Sequence, residues 1–453
     1  MNYKIINQIG KGAFSNVFLC EYKDNTNYIL FNIFDKKESE LFIIKQINLD
    51  KLVNKYMKKS KFNILKNTNN NITQSLNITP YSNKDILKML NTEEEYYYKK
   101  LKNLIDSEID ILKKISHNNI IKFYKSSLDI IDHDQIYNIE MEYCNYGDLY
   151  SILKNKSNDK ILNHFKCRNI YNGFDIDFIK NFLNDVLSGL KYIHDLNIIH
   201  RDIKLQNILI KSDNNKFVFK ISDFGFSCLD LSSDKLDNSL YSSDFEYSFS
   251  KIQEKYYKLC GTPYYMAPEI ILNFHKFDQI NLDNNSPKNI IYDKKIDIWS
   301  LGISLYELIF NKLPFSNIND IFELKSLFVN TDFQTNLHNN ISSKKIINSN
   351  MKFILKKLLT TDHNLRISIN ELHELILYNN IDIIINNNNL NTSSNSFTPN
   401  NNLIQNVIYE PVHLSKTDIN NLSTEWCKID KNNNTFLKIS IDNSFRKWLH
   451  KDN

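Results

Sequence analysis

Gly10 and Gly12, in the run Ile9-Gly10-Lys11-Gly12-Ala13-Phe14-Ser15-Asn16-Val17, lie between two strand-like stretches. Their missing side chains would let backbone approach a phosphate chain. A glycine turn in a β-hairpin is the competing reading. A dinucleotide fingerprint opens a helix, whereas this run opens another strand. Lys45 ends the apolar strand Phe42-Ile43-Ile44-Lys45, an ordinary place for a solvated lysine. Its meaning changes with the helix predicted over Thr92 to Ser116, where Thr92 and Glu95 form a capping box and Leu101, Leu104, Ile111 and Ile115 an apolar stripe. Glu108 falls on that stripe. A carboxylate facing a packed interior is costly unless paired, and Lys45 is the natural cation. A stray, partly exposed Glu108 is the alternative. The third group is His200-Arg201-Asp202-Ile203-Lys204-Leu205-Gln206-Asn207, followed sixteen residues later by Asp223-Phe224-Gly225 and then by Ala267-Pro268-Glu269. Chance coincidence of all three in this order is negligible.

These residues need elements to hold them. Tyr3 to Ile9, Val17 to Tyr22 and Leu41 to Ile47 read as strands. From Phe178 onward helical spacing dominates, with Phe182, Val186, Leu190 and Ile193, then Ile298 to Phe310 and Met351 to Leu359. Sheet first and helices later predict an α+β fold, a small β-rich lobe joined to a larger helical one. The 453 residues are 42% hydrophobic and 24% charged, enough to bury a sizeable core. Only 8 are glycine, whereas about 30 would be ordinary at this length. Asparagine takes about one position in seven. Asn-rich, patternless stretches near 54–91, 155–172, 229–255, 274–289 and 386–406 read as inserts. A net charge of +4 is too weak to argue for nucleic acid. The six cysteines form no CxxC pair, so neither a zinc site nor a disulfide framework is expected, and a reducing setting, cytoplasmic or nuclear, is. Met1 to Gly12 read as strand and turn, so a signal peptide is not expected, nor is a membrane span.

Taken together, the motifs resemble the eukaryotic serine/threonine protein-kinase family over about Tyr3 to Leu377. That resemblance implies a two-lobed protein kinase fold that transfers the γ-phosphoryl group of ATP, with Mg2+, to Ser or Thr hydroxyls of protein substrates. It divides the chain into a kinase domain over 1–380, with an N-lobe at 1–141, a hinge at 142–147 and a C-lobe at 148–380. A linker at 381–406 and a tail at 407–453 would follow. By the same resemblance Lys45 holds the α and β phosphates and Glu108 aligns it. Asp223 and Asn207 bind magnesium. Asp202 orients the substrate hydroxyl and accepts its proton, while Lys204 screens developing charge. Ile9, Gly10, Lys11, Gly12, Ala13, Phe14, Ser15, Asn16 and Val17 cover ATP. Glu142 and Cys144 offer hinge backbone to adenine behind the gatekeeper Met141, Asp148 approaches the ribose, and Leu209 completes the slot. Asp297 is similar to the carboxylate that braces the catalytic loop, and Arg366 to the partner of Glu269. Lys204 together with Gly261-Thr262-Pro263-Tyr264-Tyr265-Met266 points to Ser/Thr rather than Tyr substrates. Within the family, MEYCNYGDL, QNIL, DFGF and LCGTPYYMAPE are most similar to the autophagy-initiating kinases. Seven of the eight glycines fall at kinase positions, and Gly173 is assigned to an insert.

Some positions depart from the family. Ser15 stands at the third glycine of the loop, Leu205 replaces a usual proline, and Ile43 stands where alanine is usual, adding bulk above adenine. Lys258 occupies the usual phospho-threonine position, where a cation cannot neutralise Arg201. An acidic or phosphorylated residue of the segment 229–257, such as Asp244 or Glu246, is expected to serve instead. A catalytically silent scaffold is the competing reading, but Lys45, Glu108, Asp202, Asn207, Asp223 and Gly225 are all present. In the tail, Ile419, Leu422 and Trp426 suit a short helix, Leu437, Ile439 and Ile441 a strand, and Phe445, Trp448 and Leu449 another helix. Packing on the helical lobe is the expected role, and a regulatory partner would act through this tail.

Overall fold

The computed structural model describes residues 3–11, 15–23, 41–55, 57, 83–154, 173–174, 176–213, 216–230, 260–273, 293–315, 318 and 320–378. Gly12, Ala13 and Phe14, the segment containing Asp244, Glu246 and Lys258, the linker and the tail lie outside them. In chain order the elements are β1 (Tyr3–Lys11), β2 (Ser15–Tyr22), β3 (Leu41–Asn48), α1 (Asn83–Lys114), β4 (Phe123–Ile131), β5 (Asp134–Glu142), α2 (Leu149–Lys154) and α3 (Ile176–Asp195). There follow β6 (Ile198–Ile199), β7 (Ile208–Asp213), β8 (Lys216–Ile221), β9 (Cys228–Leu229), α4 (Pro268–Leu272), α5 (Lys295–Phe310), α6 (Ile321–Val329), α7 (Phe333–Ser343), α8 (Ser349–Leu358) and α9 (Ile369–His373).

The first five strands form one antiparallel sheet in the order β1-β2-β3-β5-β4. β3 is central and apolar on both faces. Phe42 and Ile44 join Cys20 in a small outer cluster with Tyr3, Phe18, Tyr22 and Tyr124 packed on it. Ile43 and Ile47 belong to the main core, which also takes in Leu101, Ile105, Ile109 and Leu112 of α1. Period-two alternation therefore aims Lys45 at α1.

Helix α1 begins nine residues before the expected start, so Thr92 lies within a helix and the Thr92–Glu95 capping box is not its N-terminus. The physical reason is local. A T-x-x-E signature ends a helix only where the preceding backbone is not helical, and Ile86-Leu87-Lys88-Met89-Leu90 are helix formers that carry the helix through.

The helical lobe is built around α5, in which every residue from Ile296 to Phe310 is buried. Apolar side chains on all sides suit a helix enclosed by others. Asn311 ends it in a left-handed conformation, its N–H bonded to the Glu307 carbonyl. Capping side chains open the outer helices: Asp320 for α6, Asn348 for α8, and a Ser368–Glu371 capping box for α9.

Gly173 is not part of a loose insert. The Phe174 N–H donates to the Leu308 carbonyl at 3.1 Å, Phe174 stacks on Phe178 at 3.9 Å, and an added Cβ on Gly173 would lie 1.9 Å from the Ile309 carbonyl oxygen. Gly173 is thus required by close approach to the last turns of α5. Replacing it with alanine would drive a methyl into buried backbone, and Gly173→Ala is expected to lose about 2 kcal/mol or more of stability. Urea unfolding measures this, and an unchanged midpoint would show that the segment does not seat there.

Candidate functional site

Three charges meet in the cleft between sheet and helical lobe. Lys45 Nζ lies 2.6 Å from Glu108 Oε1 and 3.0 Å from Asp223 Oδ1. The long segment between Lys45 and Glu108 does not prevent their pairing. Glu108 is buried on the same side of α1 as Leu101 and Ile111, so the lysine compensates a carboxylate that would otherwise be stranded. Burial pulls the Lys45 ammonium down, but Asp223 and Glu108 together outweigh it and hold the group above the ordinary lysine value. The Lys45 ammonium in turn holds the half-exposed Asp223 carboxyl down at about 2, against the opposing effect of burial. Only a small residue fits beside this cluster, because a Cβ on Gly225 would sit 3.3 Å from both Asp223 Oδ1 and Glu108 Oε2. Asp223 itself has φ of 61°, a conformation held by the buried Phe224 that follows, which meets the His200 ring edge-on at 5.0 Å.

Asp202 anchors the second group. Its Oδ1 accepts from the Thr262 hydroxyl at 2.9 Å, and its Oδ2 accepts from Asn207 Nδ2 at 2.9 Å and lies 2.8 Å from Lys204 Nζ. Lys204 also donates to Thr262 Oγ1 at 2.7 Å. The loop that carries them is fixed from below by Asp297, on α5. Asp297 Oδ2 accepts from the His200 N–H and Oδ1 from the Arg201 N–H, both at 2.8 Å, and His194 Nε2 is 2.9 Å from Oδ2. These bonds stabilise the left-handed backbone of Arg201, φ 67°. Gly261, at φ 109°, passes so close that a Cβ there would meet the Arg201 carbonyl oxygen at 2.6 Å. The end of the loop is tied to Asp223 through its neighbour: Ser222 N–H and Oγ both donate to the Asn207 carbonyl, at 2.9 and 3.0 Å. Asn207 and Asp223, far apart in sequence, are thereby neighbours.

The segment from Cys144 to Asp148 lies along β7. Tyr146 N–H donates to the Ile210 carbonyl at 3.2 Å and Ile210 N–H to the Gly147 carbonyl at 2.9 Å, while Asp148 bridges Leu209. Cys144 is buried at this turn. The Asp148 carboxylate accepts from Ser151 N–H and Oγ at 2.8 and 2.7 Å, so it opens α2 as a cap. Across the cleft, Ile9, Gly10 and Lys11 close β1 and Ser15, Asn16 and Val17 open β2, with Gly10 opposite Val17 and Lys11 opposite Asn16. Gln8 Nε2 bonds the Gly10 carbonyl and Asn16 Oδ1, each at 3.1 Å, steadying the two arms.

Farther from the cleft, Arg366 clasps Glu269 with two bonds of 2.7 and 2.8 Å and caps the Lys295, Thr360 and Thr361 carbonyls. Sequence reasoning gave no role to Thr262, to His194 or to the lysines of β7 and β8. Thr262 was visible only as part of the Gly261-Thr262-Pro263 string. The site as built can bind a polyanion at Lys45 and Lys204, offer carboxylate and amide oxygens to a hard cation, and present a carboxylate to a hydroxyl.

A family model for the protein kinase domain matches residues 78–375. The chain is 31% identical over 286 residues to the probable serine/threonine-protein kinase fhkD of Dictyostelium discoideum, covering 62% of this chain and 32% of that one. It is 32% identical over 234 residues to the serine/threonine-protein kinase ATG1b of Arabidopsis thaliana, covering 52% and 25%. Over 240 residues it is 34% identical to the serine/threonine-protein kinase ELM1 of Saccharomyces cerevisiae, covering 52% and 33%. The chain thus spans a quarter to a third of the length of these relatives.

Asp297 has a measurable signature. Burial alone would push its carboxyl up, but the bond from His194 and the charges of His194 and His200 reverse this and leave it below the ordinary aspartate value. A lowered folded-state pKa adds stability that is full above about pH 4 and is lost as pH falls through the folded value, because the unfolded aspartate binds its proton first. Asp297→Asn is therefore expected to be less stable by about 3 kcal/mol at neutral pH, with the gap to wild type narrowing below about pH 4. Denaturant titrations across pH measure the gap, and a constant difference would remove Asp297 from this role.

Proposed function

The chain belongs to the protein kinase family, and on that premise we propose that it transfers the γ-phosphoryl group of ATP to Ser or Thr hydroxyls of proteins. The observation that carries the reading is the convergence of Lys45, Asp202, Lys204, Asn207 and Asp223 on one cleft, with Lys45 and Asp223 3.0 Å apart and Asp202 and Asn207 2.9 Å apart. Lys45, aligned by Glu108, holds the α and β phosphates. Ile9 to Val17 cover them, and the hinge backbone at Glu142 and Cys144, with Leu209 and Asp148, receives adenine and ribose. Asp223 and Asn207 present the oxygen donors that Mg2+ takes. When bound, the ion neutralises charge on the phosphate oxygens.

In the transfer the substrate hydroxyl oxygen forms a bond to the γ-phosphorus, the bond from that phosphorus to the bridging oxygen breaks, ADP leaves, and the hydroxyl proton passes to Asp202. Asp202 Oδ1 already accepts one hydroxyl, that of Thr262, at 2.9 Å. It is therefore oriented to take an O–H donor. Lys204, 2.8 Å from Oδ2, screens the developing charge. Ser and Thr as acceptors rest on the resemblance of Lys204 and the Gly261-Thr262-Pro263 string to serine/threonine kinases, in line with the names of the three relatives. The proposed division is an N-lobe at 1–141, a hinge at 142–147 and a C-lobe at 148–380, with a linker and a tail open to a regulatory partner beyond. Among the described residues no helix is long and apolar enough to cross a membrane.

In a Mg-ATP phosphorylation assay, Asp202→Ala is expected to lower phosphate incorporation by about 10²- to 10⁴-fold. Equal incorporation by both proteins would overturn the reading. Ile43 is 9% exposed and pairs with Met141 and Leu19 on the neighbouring strands, so its branched side chain narrows the adenine slot. Ile43→Ala, assayed where it is fully folded, is expected to bind ATP more tightly by nucleotide titration. No gain would show that the slot is not crowded there.

A further inference from the structure

Behind the hinge, three chain segments meet on one carboxylate. Glu142 is 2% exposed. Its Oε1 accepts from the Lys122 N–H at 2.6 Å and lies 2.9 Å from Lys220 Nζ, and its Oε2 accepts from Lys211 Nζ at 3.2 Å. Lys122 enters β4 of the small lobe, whereas Lys211 and Lys220 stand on β7 and β8 of the large one. Glu142 N–H also donates to the Lys122 carbonyl at 2.9 Å. Lys220 reaches one step further and donates to the Asn118 carbonyl at 2.6 Å.

The two lysines hang from the strands that set the cleft floor. Lys220 is paired with Leu209 across β7 and β8. Lys211 lies between Ile210 and Ser212, whose backbones hold the hinge: Ile210 through Tyr146 and Gly147, and Ser212 through its N–H to Asn145 Oδ1 at 2.9 Å. The same hairpin therefore carries Leu209, pairs with the hinge backbone and neutralises the buried residue where the hinge begins. A buried carboxylate is strongly constrained by its cations, because moving them apart uncovers charge in a medium that cannot solvate it.

We propose that Lys211 and Lys220 are positioning residues for the nucleotide. Acting through Glu142, they fix the separation of the hinge backbone from Leu209 and so the depth of the adenine slot. This rests on the reading of the cleft as an ATP site. Removing either lysine loosens the slot without touching Asp202 or Lys204, so the loss falls on ATP affinity and ATP KM rather than on kcat.

The test uses the full chain, with titration of MgATP for binding and phosphate transfer to casein for chemistry. Lys220→Met is expected to raise the Kd and KM for MgATP about tenfold, and Lys211→Met, at a more exposed position, to raise them less. Glu142→Gln combined with Lys220→Met is expected to be no worse than the worse single variant, because the residues act as one unit. Should Lys220→Met fail to fold, Lys211→Met carries the comparison. A Kd within about twofold of wild type in folded Lys211→Met, or strictly additive losses in the combined variant, would overturn the proposal. A wild type that binds MgATP but transfers nothing to casein would sink the kinase reading and leave the Kd comparison to decide this one. A wild type that binds no MgATP would overturn both.

Discussion

The buried carboxylate of Asp297 is the constraint on which the rest of the site depends. It sits in α5, a helix enclosed on every side, where an uncompensated charge would be prohibitive. Two backbone N–H groups, of His200 and Arg201, and one imidazole supply the compensation. The requirement runs both ways: the helix cannot bury Asp297 without the loop, and the loop cannot hold Arg201 in a left-handed conformation without the helix. Asp297 is also the first of a stripe. Ser300, Ser304 and Glu307 follow at helical spacing, all buried. Ser300 Oγ donates to the Tyr265 carbonyl at 2.7 Å, and the Tyr265 hydroxyl donates to Glu307. One face of an otherwise apolar helix thus organises both the loop from His200 to Asn207 and the segment that follows Gly261.

Ion pairing then joins the lobes at two places, one at Lys45 and one at Glu142. In front, Lys45 from the sheet meets Asp223 from the helical lobe. Behind, Glu142 meets Lys211 and Lys220. In each case a charge is withdrawn from water and held by partners from the other lobe, so relative lobe position and electrostatic compensation are the same variable. The depressed Asp223 carboxyl is one consequence, since its charge is stabilised only while Lys45 stays near.

Much of the site was legible from local pattern. Helical spacing placed Glu108 among Leu101, Leu104, Ile111 and Ile115, which is enough to require a cation, and Lys45 at the end of an apolar strand was the natural one. Where local pattern misled, another local fact or a distant contact overruled it. The Thr92–Glu95 signature lost to helix-forming residues upstream. Gly173 looked like insert because its reason is the backbone of α5, more than a hundred residues later. Lys211 and Lys220 drew no reading, since nothing near them in sequence announces a buried acid.

By itself the sequence determined the kinase family, the strand and helix order, and the identity of the charged residues in the cleft, because residue type and short-range periodicity are local properties. Only the tertiary structure decided which charges share a partner. Lys45 and Asp223 are 178 positions apart, and Glu142 and Lys211 are 69 apart. At such separations nothing in the intervening chain specifies the contact. It is selected by packing, which brings each buried charge to the one place where its loss of water is made good.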